Sequence, residues 1–202
     1  MPNKKTPVKT NKEKDSVKEV QLKAVTFKEL WDNYPAGHPY EDPNGQYSNQ
    51  CAIKMSVTFH KTGSDMKSFS QKNVKPMPGK ESLGRLLLEG KPTATRAYEL
   101  AQWLKLKPIL GIASPETITG KDWEDKVKDR TGIIFFFGYW QQDGDNKDNL
   151  TGGHIDLWNK DTLTSKGFAS WATSFARFRL RQSSLWYSDL AKSKEILFWE
   201  VK

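Results

Sequence analysis

The chain is poor in the residues that build disulfides and metal centres. It has one cysteine, Cys51, and three histidines, His38, His60 and His154. A single cysteine excludes an internal disulfide, and no Cys-x-x-Cys or His-Glu-x-x-His motif is present to bind zinc. A Gly-x-Ser-x-Gly motif, which would indicate a serine hydrolase, is missing too. We therefore predict no cofactor and no metal, with the pair His154 and Asp156 as a minor metal-binding alternative.

Long apolar runs and a signal peptide are absent as well. No segment approaches the roughly 18 apolar residues that cross a bilayer, and the first nine residues lack the apolar stretch of a signal peptide. The 202 residues suffice for one domain with a sizeable core. We expect a protein that is made in the cytoplasm and is compatible with export by a machine that cleaves no signal.

Residues 1–24 contain no aromatic side chain and carry seven lysines against three acidic residues. Half of the chain's net charge of +8 lies in this segment. Because such a composition buries too little apolar surface to fold alone, we predict a disordered basic tail ahead of a domain at 25–202. Binding to nucleic acid is not expected, since clustered arginines and interleaved aromatics are missing from the tail.

The single cysteine lies where a loop gives way to a regular element. The turn-forming segment Asp42–Gly45 precedes it, and a segment rich in apolar residues follows from Ala52 to Phe59. The unpaired N–H groups at a helix N-terminus favour thiolate over thiol, which would make Cys51 a nucleophile. An inert buried cysteine is the alternative interpretation.

Periodicity after Cys51 allows two interpretations. Residues 53–59 alternate between apolar and polar side chains, which is the pattern of a half-buried strand and favours that structure. At 100° per residue the same segment is a mostly buried helix, with Cys51, Lys54 and Thr58 on a narrow polar stripe.

A second chemically interesting segment lies about a hundred residues further on, at Thr151–Asn159. Two glycines precede a short alternating strand, in which His154, Asp156 and Trp158 point to one face. A lone cysteine with a distant histidine is the arrangement of a cysteine hydrolase, whose two residues meet in space and not in sequence.

Two motifs together resemble a known family. Asn49–Ser56 (NQCAIKMS) and Gly153–Asn159 (GHIDLWN) are similar to the fourth family of type VI secretion amidase effectors, which are papain-like, NlpC/P60-type cysteine peptidases. The resemblance extends from about Phe27 to the end of the chain. It implies an α+β fold in which the catalytic cysteine opens a central helix packed on an antiparallel sheet that carries the histidine, and it replaces the strand interpretation after Cys51.

The resemblance also implies the roles of the site residues. His154 takes the proton of Cys51, and the thiolate attacks an amide carbonyl. The backbone N–H of Cys51 and a donor from Asn49, Gln50 or Tyr47 stabilise the oxyanion.

The third catalytic residue departs from the family pattern. The family aspartate is expected about eleven residues beyond the histidine, where this chain has Ser165. Asp156, on the strand face of His154, is the first substitute and Asp161, in the following turn, is the second.

Substrate and partners follow from the resemblance alone. It implies an antibacterial toxin that cleaves the γ-D-glutamyl–meso-diaminopimelate bond of peptidoglycan stem peptides in the periplasm of a target bacterium. A cognate immunity protein and a secretion-system carrier are implied as partners. Lys54 is a candidate to position the substrate's carboxylates, with a solvated edge as the alternative. A papain-like protease acting on proteins and a non-catalytic module with a buried Cys51 are the rival functions.

Apolar periodicity and capping signals predict the remaining elements. We predict helices at 26–31, 93–104 and 119–132, a central buried strand at 132–140 and a final strand at 196–201. Residues 61–79 are predicted to be irregular, and 141–149 a polar turn. Helical spacing is also seen in Phe168, Trp171, Phe175 and Phe178. Helices followed by a cluster of antiparallel strands indicate an α+β domain.

Overall fold

A computed structural model describes residues 3–9, 17–47, 49–141, 150–164 and 190–202. Ser165, the four aromatic residues at helical spacing and most of the predicted turn at 141–149 lie outside these ranges. The described strands and helices, in chain order, are β1 (Asn3–Lys9), β2 (Val17–Lys23), α1 (Phe27–Asn33), α2 (Cys51–Lys61), β3 (Arg85–Leu88), β4 (Lys91–Ala94), α3 (Ala97–Lys105), β5 (Glu116–Thr117), α4 (Trp123–Val127), β6 (Arg130–Trp140), β7 (Gly152–Lys160), β8 (Thr162–Leu163) and β9 (Glu195–Glu200).

A five-stranded antiparallel sheet forms the centre of the domain, in the order β5-β9-β6-β7-β8. The predicted central strand is confirmed as β6, which pairs with β7 on one side and β9 on the other. Its apolar run is continuous because both faces are covered. Ile133 and Phe135 belong to a core cluster with residues of α2 and α3, whereas Ile134 and Phe136 pack with Trp123 and Trp158.

The segment after Cys51 is a helix, α2, as the family resemblance implies and against the strand that alternation favours. Polar residues that alternation would expose are buried in it, including Lys54, Ser56 and Thr58. The two hydroxyls donate to backbone carbonyls one turn earlier, at 2.8 Å from Ser56 and 2.9 Å from Thr58. A helix buried on nearly all sides shows no clean helical stripe in its sequence.

The first predicted helix is confirmed as α1, with the capping box that Thr26 and Glu29 predict. The Glu29 carboxylate accepts from the Thr26 N–H at 3.0 Å, and the Thr26 hydroxyl accepts from the Glu29 N–H at 3.3 Å. Phe27 and Leu30 face the core. The Phe27 N–H also donates to the carbonyl of Lys202, which ties α1 to the end of the chain.

Two predicted helices are shorter than expected. Helix α3 begins at Ala97, because Thr93 belongs to β4 and pairs with β3. Helix α4 ends at Val127, and the strand β6 already begins at Arg130. The Arg130 guanidinium donates to the carboxylates of Glu116 and Glu200 on strands β5 and β9, contacts that hold it in the sheet.

The N-terminal segment, for which the sequence predicts a disordered basic tail, contains two described strands. Strands β1 and β2 pair with each other as a separate two-stranded antiparallel sheet, with Asn3 opposite Lys23 and Lys9 opposite Val17. Backbone pairing is indifferent to side-chain charge, so a basic composition alone does not prevent a hairpin. Beyond it, Ala24 and Val25 are buried, and the Val25 N–H donates to the carbonyl of Leu110 at 2.8 Å.

Residues 62–84 connect α2 to β3 without a helix or strand, as predicted, yet they contribute to the core. Met66, Phe69, Val74 and Met77 are buried. In the part of the chain that the structure describes, no helix has the length and apolar character that crossing a membrane requires.

Candidate active site

Helix α2 begins at Cys51. The Cys51 side chain lies at the edge of the core, and 7% of the residue is exposed. The Gln50 side chain makes no capping bond to the helix. Instead, the Asn49 side-chain oxygen accepts from the backbone N–H of Cys51 at 3.2 Å. This short-range turn satisfies one of the orphan N–H groups at the helix start and orients the cysteine.

Strand β7 carries His154, which is 1% exposed, and α2 packs against this strand. The fold therefore closes the hundred-residue gap between Cys51 and His154. Burial would lower the pKa of the imidazole, but hydrogen bonding and attraction to Asp156 and Cys51 outweigh it and raise the pKa to about 10. The surroundings of His154 therefore favour the charged imidazolium.

Asp156 is fully buried two residues after His154, on the same face of β7. Its Oδ2 lies 3.5 Å from His154 Nε2. Its Oδ1 accepts from the Thr164 hydroxyl at 2.6 Å and from the Leu157 N–H at 2.8 Å. Cys51, His154 and Asp156 thus lie in one buried polar cluster, in the order that a cysteine hydrolase requires.

Lys54 belongs to this cluster and not to the surface, since only 1% of it is exposed. The interpretation of Lys54 as a solvated edge is therefore wrong, whereas a role in positioning the substrate's carboxylates stays a prediction. Burial lowers the pKa of Lys54, while the negative charges of Asp156 and Cys51 oppose that shift.

Sequence reasoning missed two residues of the cluster. Tyr34, directly after α1, is buried, and its pKa is raised first by burial and then by the negative charge of Asp156. Thr164 follows β8 and binds Asp156. Neither lies in a motif, and only tertiary contacts bring them to Cys51 and His154. The one available signal is the position of Thr164, directly before Ser165, where the family aspartate is expected.

The three predicted oxyanion donors have different surroundings. Asn49 contacts the Cys51 N–H, as described above. The Gln50 amide donates to the Tyr40 carbonyl at 2.9 Å and accepts from the Tyr40 N–H at 3.2 Å, so it holds the preceding loop against α2. The Tyr47 ring packs edge-on against the Tyr40 ring with 5.6 Å between centroids, and its N–H donates to Asp42.

Asp161, the second substitute for the third residue, is not brought to His154. It is exposed in the turn between β7 and β8. The six residue-to-residue steps along the strand from His154 to Lys160 span roughly 20 Å at about 3.4 Å per step. This distance excludes a direct contact between Asp161 and the imidazole, which leaves Asp156 as the carboxylate beside His154 among the described residues.

The other histidines stand apart from this cluster. His38 is exposed, and His60 lies in the last turn of α2, where its Nε2 is 2.9 Å from the Pro92 carbonyl. Among the described residues, no group of three or more histidine, cysteine, aspartate or glutamate side chains has an arrangement that would hold a metal ion.

Comparisons with known proteins point to one family. The family model described as "Type VI secretion system (T6SS), amidase effector protein 4", or Tae4, matches residues 47–199. The effector–immunity structure Tae4/Tai4 from Salmonella typhimurium contains a similar chain, with TM-score 0.53 and 15% identity over 88% of this chain and 98% of that one. Its selenomethionine variant gives TM-score 0.52 and 14% identity over the same shares. No curated protein matches. At these identities the structures show a shared fold.

Proposed function

Because the chain belongs to the family of type VI secretion system amidase effector protein 4, we propose that it is a cysteine amidase that cleaves peptidoglycan stem peptides as a secreted antibacterial toxin. The observation that carries this proposal is the buried cluster of Cys51, His154 and Asp156. It joins a nucleophile at a helix N-terminus to an imidazole whose pKa is raised.

The proposed reaction begins with proton transfer from the Cys51 thiol to His154, which gives a thiolate–imidazolium pair. The thiolate attacks the amide carbonyl and forms a tetrahedral intermediate. The imidazolium then donates its proton to the leaving amine, so that an acyl-enzyme remains on Cys51. Water, deprotonated by the neutral imidazole, attacks the thioester and releases the carboxylic acid product.

Asp156 is the third catalytic residue in this proposal. Since its Oδ2 lies beside His154 Nε2, a proton on that nitrogen is held there and Nδ1 is the nitrogen that exchanges a proton with the thiol. The carboxylate also stabilises the imidazolium that the reaction needs.

Oxyanion stabilisation is assigned to the Cys51 N–H and Asn49. The N–H now donates to the Asn49 side-chain oxygen, and a rotation of that amide by about half a turn would present its NH₂ group instead. The carbonyl oxygen of the substrate would then accept from both donors. Gln50 is less suited, because both polar atoms of its amide bind the Tyr40 backbone.

The bond cleaved is proposed to be the amide between γ-D-glutamate and meso-diaminopimelate, in the periplasm of a target cell. The support is the resemblance of NQCAIKMS and GHIDLWN to the amidase family. Because solved relatives include an effector–immunity complex of Tae4 with Tai4, a cognate immunity protein is proposed as a partner, together with a carrier from the secretion system.

Purified muropeptides and mass spectrometry test the function directly. We expect fragments that end in γ-D-glutamate and new amino termini on diaminopimelate, formed by the wild-type protein and not by Cys51→Ala. Cleavage between the glycan and L-alanine would contradict the assigned bond. Hydrolysis of casein without hydrolysis of muropeptides would favour a papain-like protease acting on proteins.

Thiol reactivity separates the enzyme from a non-catalytic module. A thiolate near neutral pH reacts rapidly with iodoacetamide, whereas an inert buried thiol does not. We expect fast alkylation of Cys51 and parallel loss of muropeptide hydrolysis. A native protein whose Cys51 resists alkylation and that cleaves no muropeptide would support the binding module.

A further inference from the structure

The two oxygens of Asp156 have separate partners. Oδ2 faces His154 Nε2 at 3.5 Å, whereas Oδ1 accepts from the Thr164 hydroxyl at 2.6 Å and from the Leu157 N–H at 2.8 Å. Two donors on one oxygen fix the rotation of the carboxylate. The other oxygen is thereby directed at the imidazole.

We propose that Thr164 is a positioning residue of the active site, which acts through Asp156 by holding its carboxylate in the orientation that directs Oδ2 at His154. The inference rests on the proposed function, in which Asp156 orients the imidazole. Thr164 lies one residue before Ser165, the position at which the family aspartate is expected. In this chain the segment would therefore supply a hydroxyl that supports Asp156.

The fold supplies Thr164 by a tight hairpin. Strand β8 turns back at Asp161 and pairs with the end of β7, with Leu163 opposite Trp158 and Thr162 opposite Asn159. Leu163 is buried in the core cluster that contains Ile134, Phe136, Trp123 and Trp158, and this contact anchors the returning chain. Thr164 follows at once and is itself 2% exposed, so its hydroxyl meets Asp156 in a site from which water is largely excluded.

A hydrogen bond to a charged buried group is strong enough to affect turnover. Such bonds contribute roughly 1.5–3 kcal/mol, which corresponds to about ten- to a hundredfold in a rate constant. Because Thr164 is assigned no contact with substrate, its loss is expected in kcat and not in KM.

Three variants in the full chain give the test. Thr164→Val has nearly the same shape without the donor, Thr164→Ser keeps the donor, and Thr162→Val is the control on the same hairpin. The Thr162 side chain is exposed and its hydroxyl donates to the Leu163 carbonyl at 3.2 Å. On purified muropeptides, we expect kcat to fall about tenfold or more in Thr164→Val, with KM unchanged. Thr164→Ser should restore most of the rate, and Thr162→Val should match wild type.

A double-mutant cycle with Asp156→Asn shows whether Thr164 acts through Asp156. We expect Thr164→Val to lower kcat much less in the Asp156→Asn background than in the wild-type background. Equal reductions in both backgrounds would contradict the inference. If Thr164→Val does not fold, Thr164→Ala in the same cycle gives the same comparison.

The pH dependence of kcat/KM gives a further test, because it would not change if Thr164 had a purely structural role. Cys51, Lys54, Tyr34 and Asp156 are the titratable groups that act on this site among the described residues. A misdirected carboxylate stabilises the imidazolium less, so the alkaline limb of kcat/KM should move to lower pH in Thr164→Val. An unchanged profile together with an unchanged kcat would overturn the inference. Absence of Cys51-dependent hydrolysis in the wild-type protein would instead contradict the proposed function.

Discussion

At the scale of single residues, the site is a buried cluster of charges. Cys51, Lys54, His154 and Asp156 are at most 7% exposed, so each charge depends on its neighbours and not on water. Hydrogen bonding and attraction to Asp156 and Cys51 raise the pKa of His154 against the cost of burial. Changes to one member are therefore expected to alter the chemistry of the others.

Cys51 and His154 are expected to act as one unit. Cys51→Ala and His154→Ala should each abolish muropeptide hydrolysis, and the double variant should be no worse than either, because removing one partner already disables the pair. Turnover numbers of the three variants, with melting temperatures as a control for folding, measure this. A His154→Ala protein with near-normal turnover would remove His154 from the site.

Asp156→Asn is expected to lower kcat on the order of 10²-fold or more, by analogy with other catalytic aspartates that orient histidine. The imidazolium is present below its pKa and is lost as pH rises through about 10 in the native protein. Removing the negative charge of Asp156 lowers that pKa, so the alkaline limb of the activity profile should move to lower pH. Asp161→Asn, in the exposed turn, is the matched control, and a larger effect there would reassign the orienting role.

The substitution Asn49→Asp distinguishes two roles of Asn49, the turn that it forms with the Cys51 N–H and the proposed donation to the oxyanion. Aspartate forms the same short-range turn with the Cys51 N–H but has no NH₂ group to donate. We expect an unchanged melting temperature and a kcat about 10²-fold lower, measured at the plateau of each pH profile so that changes in thiol ionisation do not contribute. Wild-type turnover in this variant would confine Asn49 to the turn.

At the scale of elements, α3 organises the irregular segment that follows α2. Glu99 on α3 is fully buried, and its carboxylate accepts from the backbone N–H groups of Met77 at 2.9 Å and Gly84 at 2.6 Å. Arg96 donates to the same carboxylate at 2.9 Å. One buried side chain on α3 thus binds two backbone N–H groups of this segment.

Glu99→Ala is therefore expected to lower the free energy of unfolding by about 3 kcal/mol, because it leaves buried N–H groups and Arg96 without their partner. Urea denaturation measures the change. Glu81→Ala is the control, since Glu81 is an exposed carboxylate of the same irregular segment. Equal stability of the two variants would show that Glu99 does not hold the segment.

At the scale of the whole molecule, the N-terminal hairpin is separate from the main sheet. Strands β1 and β2 form a sheet of their own. Among the described residues, Val25 and Phe27 make the first backbone hydrogen bonds that join the segment to the domain core. The domain boundary at residue 25 thus remains a prediction that the placement of these bonds supports.

Deleting residues 2–22 is expected to shift the melting temperature by less than about 2 °C and to leave hydrolysis of purified muropeptides unchanged, because the deletion keeps Ala24, Val25 and α1. Differential scanning calorimetry and the muropeptide assay compare the truncated protein with the full chain. A truncated protein that fails to fold would show that the hairpin is part of the structural core.

The sequence by itself determined the elements whose signals are local. The apolar run at 132–140, the alternation around His154 and the capping box of Thr26 all predict structures that are present, because each depends on neighbouring residues. Recognition of two motifs supplied the helix after Cys51, which periodicity alone assigned to a strand.

Only the tertiary structure decided how the chemical groups meet. Lys54 looks like a surface residue in the sequence, but α2 is surrounded by other elements, and Lys54 is buried where the charges of Asp156 and Cys51 act on its pKa. Thr164 and Tyr34 lie in no sequence motif, since their contacts arise from a hairpin and from a helix end. A sequence pattern records the period of a segment, whereas burial and pairing depend on what the rest of the chain packs against it.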